Sequence, residues 1–114
     1  MNPVCRAIQA ALQRPEDVRS QFLRNIAIGI GNGRYQSTDI AGILRSQDIS
    51  EDVWQMTIRM LTMASGLKQF VAFVLVNSSW FLETISSASE AQGLEERRVA
   101  LRQLHNHWQI CLSG

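Results

Sequence analysis

Charge, cysteine and long apolar runs are all scarce in this 114-residue sequence, and each scarcity argues against a class of function. Charged residues make up 18% of the chain and nearly cancel, with 11 basic against 10 acidic for a formal net charge of +1. No strong field of one sign is available to attract nucleic acid or anionic lipid. Lys68 is the single lysine. The other cations are arginines, whose planar forks suit carboxylates and phosphates, although the coding bias of a genome produces the same excess. Two cysteines, Cys5 and Cys111, lie near opposite ends and outside any CxxC pair. A disulfide framework is not expected, and with no basic n-region and apolar h-region after Met1 the expected location is a reducing cytoplasm. The longest apolar run, Phe70 to Val76, stops at Asn77, Ser78 and Ser79. That falls far short of the roughly 20 residues a membrane-spanning helix needs, so no membrane is expected among the partners.

What is present is apolar material in helical register. Hydrophobic residues form 46% of the chain, enough for one sizeable core in a single domain over residues 1–114. Asn2 and Pro3 read as an N-cap and first helical residue, followed by Val4, Ile8, Ala11 and Leu12 on one face. Pro15, Glu16 and Asp17 start a second helix carrying Val18, Phe22, Ile26 and Ile30, which should end in the stretch of Gly29, Gly31 and Gly33. Ser37, Thr38 and Asp39 offer caps for a short helix with Ile40, Ile43 and Leu44. Ser50 opens a fourth helix, so apolar around its circumference that it belongs in the centre of a core. Ser86 to Gly93 reads as a frayed helix end and a turn. From Leu94 a last helix places Leu94, Leu101, Leu104, Trp108 and Cys111 on one stripe.

Leu67 to Ile85 admits two readings. With helical period, Leu67, Phe70, Val71, Val74, Phe81 and Ile85 line one face of a buried helix. Read as strands, Phe70 to Val76 and Trp80 to Ile85 form a hairpin about Asn77 to Ser79. The helical neighbours, with Ala72 and Leu75, favour helix. The expected fold class is therefore all-α, a compact bundle of five to six helices. The alternative is a winged helix-turn-helix with a small β-hairpin at 70–85.

Motifs that carry chemistry are thin. The glycines at 29, 31 and 33 miss the dinucleotide and P-loop spacings, and read as a helix end and a turn requiring positive φ. His107 and Cys111 have the i, i+4 spacing of two metal ligands, but a third ligand, Cys5 or a carboxylate, is not dictated by the sequence, so no metal or other cofactor is assigned. No serine or cysteine sits in a nucleophile context, and Glu95, Glu96, Arg97 and Arg98 read as a solvated helix face. No catalytic residues are assigned and an enzyme is not expected.

Two functions remain. The first is a small cytoplasmic protein-binding module, acting as an adaptor, chaperone, inhibitor or immunity protein, or regulator, through an apolar surface. Its candidate contact residues are Trp54, Met56, Met60, Met63 and Trp80, since thioether stripes line adaptable grooves and Trp anchors interfaces. Its partner would be another protein or a second copy in a homodimer. The second is a winged-helix DNA-binding regulator built on Thr38 to Gly66, with Gln55, Thr57 and Arg59 facing the major groove and Arg45 on phosphate. Glu51 and Asp52 at the start of the supposed recognition helix oppose that reading, because phosphate repels them.

Overall fold

In a computed structural model that describes residues 2–90 and 94–113, Asn2 caps the first helix through its side chain, which accepts the Cys5 amide at 3.0 Å. Helix α1 (Pro3–Leu12) is followed by α2 (Glu16–Gly31), α3 (Ser37–Arg45), α4 (Glu51–Ala64), α5 (Lys68–Val76), α6 (Ser78–Glu90) and α7 (Glu95–Ser113). Seven helices and no strand are found among the described residues, so the expected count of five to six is low and the hairpin of the winged-helix alternative is overturned.

The extra helix comes from Asn77. Its backbone N–H reaches the carbonyls of Phe73 and Val74 at 3.0 and 3.1 Å, and its side-chain amide also donates to Phe73 O at 2.9 Å. These bonds close α5. The Asn77 carbonyl then accepts the Phe81 amide at 3.0 Å and opens α6. The single buried helix expected across this stretch is thus two, yet Phe70, Val74, Phe81 and Ile85 all reach the core as the helical spacing required. Glu90 ends α6, so Ser86 to Glu90 is helical and not frayed. The turn expected up to Gly93 lies outside the described residues.

Other caps follow residue chemistry less evenly. Ser50 Oγ accepts from Val53 N at 3.4 Å and starts α4 as expected. At α3 the cap position is Gln36, without a side-chain bond, and Ser37 is already inside the helix. The glycines serve three separate purposes. Among the described residues only Gly33 has positive φ, at 83°. A Cβ on Gly31 would lie 2.7 Å from the Gln69 carbonyl oxygen, so its absence lets α2 and α5 approach backbone to backbone, and one on Gly29 would strike the Tyr35 ring.

All seven helices contribute to one core. Its centre is an aromatic group in which Phe81 meets Trp108 edge to face at 5.0 Å and Phe70 packs on both, 5.7 Å from Trp108 and 6.3 Å from Phe81. The stripe expected along α7 holds for Leu101, Leu104 and Trp108, which are buried. It fails at its ends: Leu94 precedes the helix and is exposed, and Cys111 is exposed too. Val18, expected on the buried face of α2, is likewise exposed.

Candidate functional site

The contact residues expected from sequence do not form a surface. Trp54 and Met60 have no exposed area, so neither can touch a partner in this fold. The Trp54 indole N–H points to the Leu44 carbonyl at 3.5 Å, and its ring lies under the Arg97 guanidinium. Met56 and Met63 are half-buried and pack against the core, so the methionine stripe is the wall of α4 and not an open groove. Met56 does border a shallow cleft of about 430 Å³ with Leu12, Gln13 and Asp52, at the start of α4. Trp80 is half-buried in the first turn of α6. Of the residues expected to read DNA, Thr57 is wholly buried and donates its hydroxyl to Val53 O at 2.9 Å. Arg59 reaches Ser20 Oγ at 3.1 Å, and Arg45 reaches Ser87 Oγ at 3.5 Å.

Large apolar side chains are exposed on α5 and α7, among other places. Val76 is 86% exposed, Ile110 71% and Leu75 55%. Val76 and Leu75 end α5, and Ser78 begins α6 two residues later. The first turns of α6 and the end of α7 lie side by side, and Ser78, Leu82, Gln109, Ile110, Leu112 and Ser113 line an open groove of about 420 Å³ between them. The two segments that build this end, 69–82 and 103–113, contain no Asp, Glu, Lys or Arg at all. Interface cores are depleted of charge in the same way. The signal was legible in the sequence as a gap in the charge pattern, but only folding brings the two gaps together.

Comparison with protein-family models, curated proteins and solved structures finds no match to this chain. The reading of its surface therefore rests on its own geometry.

The polar features are structural ties. Arg97, expected on a solvated face, is instead drawn into the fold. Its Nε donates to Glu51 Oε2 at 3.0 Å, Nη1 to Ser46 O at 2.8 Å and Nη2 to Ile49 O at 3.0 Å. All three nitrogens are used, and the side chain keeps only 12% of its exposure. Hydrogen bonding from Gln55 acts most strongly and, with the hydrogen bond and positive charge of Arg97, holds the Glu51 carboxyl below the usual glutamate range against the opposing effect of burial.

His107 joins α7 to the end of α4 through Nε2, which lies 2.9 Å from Ser65 Oγ and 3.8 Å from Cys111 Sγ. Ser65 Oγ donates its own proton to Thr62 O at 2.9 Å. It then meets His107 as an acceptor, which assigns the ring proton to Nε2. Cys5, the third ligand the spacing left open, is buried in α1, and no group of three His, Cys, Asp or Glu side chains suited to a metal occurs among the described residues. No single helix among them is long and apolar enough to cross a membrane.

Proposed function

We propose that this chain is a small protein-binding module, acting in the cytoplasm as an adaptor, chaperone, inhibitor or regulator and not as an enzyme, and that it binds through the uncharged end formed by α5, α6 and α7. The observation that carries the reading is the exposure of Val76 and Ile110 beside an apolar groove in a region without charge. Large apolar side chains exposed singly need no explanation, but an apolar groove lined from two segments without charge has the composition of an interface core. Trp80, half-buried in α6, is not among the residues that line the groove.

Site-specific photo-crosslinking in the native source tests the proposal. A photoreactive residue at position 110 should yield a discrete protein adduct, whether to this chain or another, while the same group at Arg24, exposed on α2, should yield none. Equal labelling from both positions, or none from position 110, would sink it.

A further inference from the structure

We infer that Cys111 is a site of reversible S-thiolation, where the chain forms a mixed disulfide by exchange with a low-molecular-weight disulfide, and that His107 assists the sulfur in that exchange. The inference is independent of the function proposed above. Cys5 is buried, whereas the Cys111 thiol is exposed and does not stand alone. His107 Nε2 lies 3.8 Å from its sulfur, one helical turn away on α7. The imidazole is held from its other side by α4, because Ser65 Oγ is 2.9 Å from the same nitrogen. Ser65 gives its own proton to Thr62 O, so Nε2 carries a proton and Cys111 Sγ faces an N–H edge, not a lone pair. Thiol chemistry runs through the thiolate. A hydrogen bond accepted by an anion is stronger than one accepted by a neutral group, so this N–H favours the form of sulfur that attacks. Neither residues 53–82 nor residues 97–113 include an Asp or Glu whose charge would oppose it.

His107 also forms part of the wall of a hollow of about 290 Å³ between α4 and α7, in which Thr62 and Gln103 are the other polar side chains. The sulfur is therefore one contact from a concave surface with hydroxyl and amide groups. Those groups suit the peptide portion of a small peptide disulfide. In the exchange the Cys111 thiol gives its proton to water and its sulfur attacks one sulfur of that disulfide. A new S–S bond forms, the old one breaks, and the departing sulfur leaves with the electron pair as a thiolate. Cys111 is oxidised and half of the small disulfide is reduced. Excess small thiol reverses the step by the same route.

Glutathione disulfide is a suitable probe. The native chain incubated with it, quenched in acid and digested for mass spectrometry, should carry one glutathionyl group, on Cys111 and not on Cys5, and should lose it to excess glutathione. His107→Phe keeps a ring of similar size without the N–H, and should slow adduct formation at least about threefold, with helix content by circular dichroism unchanged. Ser65→Ala leaves Cys111 Sγ as the remaining partner of the N–H and should speed the reaction. Unfolding in urea releases His107 from Cys111 without any substitution, so native Cys111 should also react at least about threefold faster than Cys111 in urea. Absence of an adduct on native Cys111 overturns the inference. A rate equal to that in urea, or one unchanged in a folded His107→Phe variant, overturns it as well, because Cys111 would then react as an ordinary exposed thiol.

Discussion

The Arg97 guanidinium lies over the Trp54 ring, 5.0 Å from its centroid, and makes one cation–π contact of a cluster that ties the start of α7 to the α3–α4 connection. Removing it leaves the carbonyls of Ser46 and Ile49 without their donor and uncovers one face of a fully buried indole. Hydrogen bonds from a charged donor are worth about 1.5–3 kcal/mol, so Arg97→Ala should destabilise the fold by about 2–3 kcal/mol. Arg97→Lys keeps the charge but loses the fork and should recover less than half of that. Urea denaturation measures both, and a loss below about 0.5 kcal/mol for Arg97→Ala, within the ordinary range of a surface substitution, would remove the clamp from the account.

Glu51 makes part of the same cluster sensitive to acid. Its carboxyl titrates lower in the folded chain than the value of about 4.3 expected when unfolded, so the folded state favours the ionised form. The resulting stabilisation is complete above the unfolded value and is lost as pH falls through the folded one. Glu51→Gln has no charge to lose. Wild type should therefore be more stable than Glu51→Gln near neutral pH, with the gap shrinking as the solution is taken below about pH 4. A gap of constant size across that range, measured by denaturation midpoints at matched ionic strength, would contradict the assignment.

Gly31 separates packing from backbone strain. An added Cβ there would sit 2.7 Å from Gln69 O and 3.0 Å from Gln69 C, both backbone atoms of α5. Helices must move apart, and Gly31→Ala should cost about 1–3 kcal/mol. Gly33→Ala meets nothing within 4 Å but forces a side chain into positive φ, a penalty of about 1–2 kcal/mol from the backbone alone. At Gly29 the obstruction is the Tyr35 ring, so Tyr35→Ala should relieve Gly29→Ala and leave the cost of Gly31→Ala unchanged. A double-mutant cycle gives the coupling directly.

Which parts of this architecture were legible in the sequence follows from the range of the interactions. Asn2 and Ser50 cap helices through amides three residues away, so the local pattern contained their roles. Asn77 divides α5 from α6 with equally local bonds, but an asparagine inside an apolar helical period is compatible with either continuation or a break. Arg97 reaches carbonyls 51 and 48 residues earlier, and a run of two acids and two arginines has no local mark of that distant destination. Hydrophobicity likewise placed Trp54, Met60 and Val76 in helices without saying which would be covered. The first two are fully buried and the last is nearly bare.

Cys5 and Cys111 offer a direct chemical check of that burial. Cys5 is 7% exposed within the core, whereas Cys111 is exposed on the last turns of α7. Brief iodoacetamide treatment of the native chain should modify Cys111 and spare Cys5, and treatment in urea should modify both, as peptide mass spectrometry will report. His107 adds a finer expectation, since the nitrogen nearest Cys111 Sγ is the one that donates to Ser65 Oγ. Ser65→Ala frees that nitrogen from its partner and should change the labelling rate of Cys111 while leaving Cys5 protected. Nitrogen chemical shifts of His107 should identify the Nε2–H tautomer in the wild-type chain. Rapid labelling of Cys5 in the native state would mean that α1 does not stay docked on the core, and an Nδ1–H tautomer would mean that Ser65 turns its proton toward the ring and not to Thr62.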